Sequence, residues 1–410
     1  MSLDPNDKLL LSGLLPAEAG RERLRLLIGG NADGIDWISA LRRADFHQTA
    51  ALLRFNLAQA GLLDAVPPQL RSELDEVSRA WAARHLAYAS ETARLIAALN
   101  DAGVASLPLK GAALMLGDYY PRAGLRAALD IDLLVDPEQA GRAEQVAQNC
   151  GYAEIPGRRD LRPRQRLENE RNHSWPRRGP GGLILELHHR AFHFAKGGRD
   201  LGFAELRARA VAHRSNDGGA LLLPSPSDLA VHLIHHTMVD WQSPHAILRT
   251  VADLHFIFAR APQARAGMKE RAREFGFAGA ARLAERVLHL LEAATLAGLD
   301  EAANDREIAL WLGTALMESP EALAEAARLF EYFDFSRRPV KKIGSLFSLL
   351  FTSRSHLEQI YGEPGNGSVY LNYLRRPFDL MKKFNWGSLS PATLRRVWRL
   401  RRMSLKERKR

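Results

Sequence analysis

The sequence predicts an α+β protein, in which a small mixed β-sheet is flanked by helical regions on its N- and C-terminal sides. Three observations predict it. Residues 37 to 105, and the stretch from Ser225 to about Phe330, carry apolar residues at three- and four-residue spacing, the period of a helix. Between them lie short β-type runs separated by Gly- and Pro-containing turns. The chain of 410 residues, 46% hydrophobic and 25% charged, can bury a sizeable core in two or three packed regions, which excludes a disordered chain and a disulfide-stapled miniprotein. The expected organisation is an N-terminal helical region over 1–103, a mixed core over 104–224, a C-terminal helical domain over 225–335 and a basic, aromatic-containing tail over 336–410.

In the first region Leu52, Leu53, Leu57 and Ala60 mark one helical face, and Ala87, Thr92, Leu95 and Leu99 another, with Pro67 and Pro68 between them. Asn100-Asp101-Ala102-Gly103 is a helix stop in which Gly103 can take a left-handed conformation. Val104 to Leu109 is expected as a short strand, followed by Lys110-Gly111 and a helix over Ala112 to Leu116. Leu129 to Val135 alternates Asp130, Asp132 and Leu134 against Ile131, Leu133 and Val135, the period of a strand. Asp136 and Pro137 open a helix as cap and first residue, and that helix ends near Asn149 and Gly151. Gly182 to His189 is a further strand after a Gly-rich turn, and Ala220 to Leu223 a last one. Ser225-Pro226-Ser227-Asp228 then opens the helical domain.

Composition narrows the function classes. The single cysteine, Cys150, excludes an internal disulfide and a Cys-rich zinc site and is expected of a reducing compartment. The N-terminus has no basic lead and reads poorly as a signal peptide. No apolar run approaches the roughly 20 residues of a membrane-spanning helix. The expected location is cytoplasmic, with peripheral attachment at the inner membrane surface as the variant the tail allows. Of the formal +10 charge, the last 75 residues hold 18 Lys and Arg against 4 Asp and Glu, a net +14 that leaves −4 for the rest. The basic balance therefore describes a tail, not a nucleic-acid-binding body, and no specific nucleic-acid recognition is expected.

The chemistry concentrates on two strands. Asp130 and Asp132, two residues apart, project to one side, where two carboxylates repel unless a cation lies between them; oxygen ligands of this kind suit Mg²⁺. Two solvated aspartates at a strand edge is the plainer alternative. Glu186 and His188 repeat the spacing on the second strand. Glu186 is expected to be a third carboxylate, so that three acidic groups hold two Mg²⁺ ions, with Mn²⁺ as a substitute. His188 contacts substrate, orients Glu186 or fills a buried polar position. Lys110-Gly111, between a strand and a helix, is a candidate phosphate site. Arg126 contacts a triphosphate, orients an aspartate or is a surface residue. His232, His235 and His236 suggest zinc, but without a metalloprotease Glu or a further ligand they read as core or surface histidines.

As a set, Leu109-Lys110-Gly111-Ala112-Ala113, Gly124-Leu125-Arg126, Asp130-Ile131-Asp132-Leu133-Leu134-Val135 and Glu186-Leu187-His188 resemble the bacterial uncharacterised nucleotidyltransferase family of the DNA polymerase beta-like nucleotidyltransferase superfamily. The resemblance covers roughly residues 45 to 260. It implies an α+β palm in which Asp130 and Asp132 bind Mg²⁺ and Glu186 completes the carboxylate set; Asp130, Asp132 and Glu186 are the candidate catalytic and metal-binding residues, and Lys110, Gly111, Arg126 and His188 the candidate nucleotide-binding ones. The implied reaction moves a nucleoside monophosphate from an NTP to an unknown acceptor and releases pyrophosphate. Two departures from the superfamily pattern stand out: Lys-Gly replaces Gly-Ser or Gly-Gly at a longer spacing, and Glu186 stands where many relatives have Asp. The rival expectations are a nucleotide-binding scaffold without catalysis and a membrane-docked accessory protein of a biosynthetic cluster. For the latter, the basic tail would meet an anionic membrane surface or an acidic partner.

Overall fold

The computed structural model describes residues 3–31, 34–155, 176–192, 201–214, 220–239 and 246–316, together with Arg395, Trp398 and Arg399. The remainder of the basic tail lies outside the described residues.

The sheet forms around β2 (Asp130–Val135), whose residues after the first are all buried. A strand covered on both faces must be apolar on both, and Ile131-Asp132-Leu133-Leu134-Val135 meets this with one exception, Asp132. On one side β2 pairs antiparallel with β1 (Ser106–Pro108), and on the other it runs parallel to β5 (Ile184–His188). The short strands β4 (Arg177–Arg178) and β3 (Ala153–Glu154) complete the order β1-β2-β5-β4-β3, so the sheet is mixed. The expected strands shorten at their ends. Leu129 is 45% exposed and outside β2. The strand expected from Gly182 starts at Ile184. A separate hairpin joins β6 (Val211–Arg214) to β7 (Ala220–Leu223).

Seven helices concern the sheet and its frame. The first four are α1 (Pro5–Ser12), α2 (Glu18–Asn31), α3 (Trp37–Phe46) and α4 (Ala50–Ala60). The 34-residue α5 (Pro68–Asp101) then starts on a proline, which has no N–H to lose at a helix start. It stops where expected, with Gly103 at a φ of 72°. The helix α6 begins at Lys110 rather than Ala112 and runs to Leu116. Asp136 caps a 3₁₀ turn over Pro137–Gln139, and α7 follows over Ala140–Asn149. Tyr88, Leu95, Ile96 and Leu99 of α5 and Ala143 and Ala147 of α7 pack with Ile131, Leu133, Val135, Leu185 and Leu187 on one sheet face. Leu134 and Leu107 turn to the opposite face and join the larger core.

That larger core is built by helices from both ends of the chain. After α8 (Phe203–Ala208) come α9 (Pro226–Ile234), α10 (Ala246–Arg260), α11 (Ala264–Glu274), α12 (Ala278–Ala293), α13 (Leu296–Ala302) and α14 (Arg306–Ala315). Ser225 accepts from the Asp228 N–H at the start of α9, as the Ser-Pro pattern predicts. Buried Arg23 on α2 donates to the carbonyl of Leu291 at 2.8 Å, and Arg43 on α3 donates to that of Leu316 at 3.0 Å. The N- and C-terminal helices thus close on one another beside the sheet.

A buried ion pair fastens the sheet to this helical body. Arg126, in the loop entering β2, donates from Nη2 to Oδ2 of Asp253 on α10 at 3.2 Å and from Nη1 to the carbonyl of Ala127 at 2.7 Å. The Tyr120 hydroxyl donates to Asp253 Oδ1 at 2.5 Å. Removing one partner of a buried pair leaves the other charge uncompensated, at a cost of about 3 kcal/mol or more. Arg126→Met is therefore expected to lower the unfolding free energy by about 3 kcal/mol, and Arg126→Met/Asp253→Leu to recover much of it. Urea denaturation of the three proteins measures this, and a single variant as stable as wild type would mean the pair is no strut.

Candidate active site

The register of the parallel strands places Asp132 opposite Glu186 and Asp130 opposite Ile184. The period of two then brings His188, opposite Leu134, to the same side as Glu186. His188 Nε2 lies 2.7 Å from Asp132 Oδ1 and 3.6 Å from Glu186 Oε2. One ligand atom each from Asp132, Glu186 and His188 falls within 4.8 Å of the others, the one such group among the described residues. The set differs from the expected three carboxylates. His188 takes the third place, and Asp130 lies outside the 4.8 Å group. The strand pattern could not show this, because Asp130 and Asp132 share a side but differ in what the neighbouring strand sets against them. His232, His235 and His236 do not form such a group among the described residues.

Lys110 reaches the same floor. It begins α6 with a φ of 45°, a conformation a non-glycine residue holds at some cost, and its Nζ donates to Asp132 Oδ1 at 2.7 Å. Asp132 is 1% exposed, so a carboxylate buried on a strand is met by an ammonium and an imidazole at one oxygen. Gly111 is buried beneath Arg126; a Cβ there would lie 2.6 Å from Arg126 Nη1 and 3.0 Å from the Ala128 Cβ. The close passage of that guanidinium gives this glycine a packing reason. Arg126 itself is turned to Asp253 and Ala127. Lys110, Asp132, Glu186 and His188 are therefore brought together, Asp130 stands beside them, and Arg126 and Gly111 lie on the adjoining strut.

The charges sort by environment. Burial opposes ionisation of Asp132, but Lys110 and His188 outweigh it and hold the carboxyl far below its usual range. Burial likewise opposes the Glu186 charge, which His188 and Lys110 bring below the ordinary value. Lys110 is held above its usual range: burial disfavours the ammonium, and the charges of Asp132, Glu186 and Asp130 overcome that. Asp130 moves the other way, to about 6, through burial and then the neighbouring Asp132 charge. Among the described residues its carboxylate has no hydrogen-bond or ion-pair partner.

Two nearby residues were not legible as site residues in the sequence. Arg249 on α10 is partly buried, donates from Nη1 to the Gln48 side chain and, at 3.4 Å, to the Ala127 carbonyl, and is within electrostatic reach of Asp130. His232 on α9 is 4% exposed, and neither ring nitrogen has a hydrogen-bond partner among the described residues. Burial, then Lys110 and His188, keep it neutral. The π-type turn His235–Val239 follows directly, an irregularity that helices often carry at functional sites.

The donor set fits a divalent cation. Two carboxylates and an imidazole suit Mg²⁺ less strictly than oxygens alone and also suit Mn²⁺. Any such ion shares Asp132 with Lys110. The arrangement also fixes the titration of His188: burial opposes its charge, but Asp132 and Glu186 raise its pKa above the ordinary value. The stability that protonated His188 contributes is thus fully present below about pH 6.5 and is lost as pH rises through its raised native value. By NMR its imidazole is expected to titrate above 6.5 in the wild type. In Asp132→Asn, where burial and Lys110 act with less opposition, it should fall below that. A wild-type His188 titrating below 6.5 would contradict this arrangement of charge.

Comparison with known proteins places these residues in a family. The sequence model described as "Uncharacterised nucleotidyltransferase" matches residues 33–292, more than half of the chain, and includes every residue of the site. Neither a search of curated proteins nor one of solved structures gives a match. With its mixed sheet, its Lys110, Asp132, Glu186 and His188 cluster and this match, the chain belongs to the uncharacterised nucleotidyltransferase family.

Proposed function

We propose that the protein is a metal-dependent nucleotidyltransferase that transfers a nucleoside monophosphate from an NTP to an acceptor nucleophile. An acceptor oxygen or nitrogen attacks the α-phosphorus and gives up its proton to solvent, the bond to the β-phosphate bridging oxygen breaks, and pyrophosphate leaves with that oxygen. The observation that carries the reading is the convergence of Asp132, Glu186 and His188, from two parallel strands, beside Lys110.

Asp132, Glu186 and His188 would hold the divalent ion, Mg²⁺ or Mn²⁺, and Asp130 adds a carboxylate beside them. When bound, the ion supplies charge neutralisation for the polyphosphate and polarises the reacting oxygens. Lys110 brings a further positive charge to the same floor. Before the ion binds, His188 fixes the orientation of Asp132 through the contact of Nε2 with Oδ1 at 2.7 Å. Burial of Asp132 and Lys110 keeps water from screening these charges, so their effect on a phosphate is larger than at an exposed surface. Catalysis of this kind is positioning and charge stabilisation, with no protein covalent intermediate.

Isothermal titration of the four NTPs with Mg²⁺ or Mn²⁺ tests the metal assignment. Asp132→Asn and Glu186→Gln are each expected to weaken metal-dependent NTP binding by at least about tenfold, the loss of one strong charged contact. Equal binding by wild type and Asp132→Asn would remove the assignment. Pyrophosphate release across an acceptor screen tests the reaction, and metal-dependent binding without turnover on any acceptor would favour the non-catalytic scaffold.

A further inference from the structure

Among the charges around the site, two are left over. Lys110 and His188 face Asp132 and Glu186, and Arg126 is closed on Asp253. Asp130 and Arg249 remain. Among the described residues the Asp130 carboxylate forms no hydrogen bond or ion pair, although it stands beside two other acids. Among the described residues Arg249 is held only through Nη1, by the Gln48 side chain and the carbonyl of Ala127, three residues before Asp130. Its Nε is buried with no hydrogen-bond partner among the described residues. Burying a guanidinium N–H without an acceptor costs free energy, and burial of this arginine next to Arg126 lowers its pKa to about 10. Two opposite charges within electrostatic reach of each other, neither closed on the other, suit a ligand that is cationic toward one and anionic toward the other.

We infer that Arg249 is a phosphate-binding residue: its free Nε edge meets the polyphosphate of a metal-bound nucleotide while Asp130 faces the metal side of the same ligand. A metal–polyphosphate has the required polarity, and a guanidinium fork matches phosphate oxygens in a way an ammonium does not. The anchors give the geometry its rigidity. Gln48 comes from the turn between α3 and α4, where it has a φ of 56°, and Ala127 comes from the loop entering β2. Arg249 is thereby held between the N-terminal helices, α10 and the sheet, so a bound polyphosphate would bridge the sheet to the helical body. This assignment rests on the nucleotide-transfer reading for its substrate, but its ligand chemistry is separable from that reaction.

The test uses the full chain and inorganic tripolyphosphate with Mg²⁺ or Mn²⁺, measured by isothermal titration, alongside the NTP titrations. Wild type is expected to bind metal–tripolyphosphate. Arg249→Gln should weaken it about ten- to hundredfold, the loss of a charged hydrogen-bonded contact, and Arg249→Lys by a smaller factor because charge is kept and the fork is lost. Circular dichroism checks that each variant is folded. If Arg249→Gln does not fold, Arg249→Lys decides, and wild-type affinity in that folded variant overturns the inference. Affinity within twofold of wild type in a folded Arg249→Gln overturns it as well, as does a wild type that binds no metal–tripolyphosphate. Failure of the transfer reaction is read separately: Arg249-dependent tripolyphosphate binding without pyrophosphate release on any acceptor leaves the phosphate site standing and removes only the reaction.

Discussion

The buried Asp132 carboxylate is the constraint around which the rest is arranged. A lone aspartate at 1% exposure on a strand between two hydrophobic faces would protonate or destabilise the fold. It does neither, because Lys110 and His188 both reach its Oδ1 at 2.7 Å. Each contact makes a demand on the chain. The first needs α6 to begin directly after β1 with Lys110 at a φ of 45°. The second needs β5 parallel to β2 in a register that sets Glu186 against Asp132 and carries His188 one step further. The local strain and the parallel pairing are thus tied to a single oxygen.

The same logic separates the two aspartates. They are two residues apart on one side of one strand, yet two cationic partners lower the pKa of Asp132 against its burial, whereas burial beside another acid raises Asp130 to about 6. Ionised Asp132 is already compensated inside the protein. Asp130 gains most from a cation that arrives with a ligand. A floor whose internal charges balance, with one acid left at its edge, is ready to receive positive charge without having to release an internal partner for every contact.

Much of this was legible in the chain, and what was not has a physical reason. Period-two alternation in Leu129 to Val135 and Gly182 to His189 gave the two strands and put Asp132, Glu186 and His188 on usable sides. Ser225-Pro226 and Asn100 to Gly103 gave a helix start and a helix stop because capping is local chemistry. Register is not local: that Asp132 meets Glu186, while Asp130 meets Ile184, depends on how two strands 50 residues apart align. Arg249 and His232 sit on helices with ordinary apolar periodicity, so only tertiary packing distinguishes them from surface or core positions. A buried Arg–Asp pair such as Arg126–Asp253 leaves no sequence pattern either, although the glycine at 111 is its trace: the guanidinium passes where a Cβ would be.

The position of that pair shows why the site needs the helical body. Asp132, Glu186, His188 and Lys110 all come from the sheet and its adjoining helix, so the sheet alone supplies the cation-facing floor. Arg249 and His232 come from α10 and α9, and α10 also carries Asp253. The Arg126–Asp253 pair therefore ties α10, and with it Arg249, to the loop entering β2 beside the carboxylate floor. A buried, hydrogen-bonded pair is a better spacer than hydrophobic contact alone, because apolar surfaces can slide while a guanidinium held by Asp253 and by the Ala127 carbonyl cannot shift without losing its acceptors. Small displacements at a site that works by positioning are expensive in rate, so the rigidity of this joint matters to function as much as to stability.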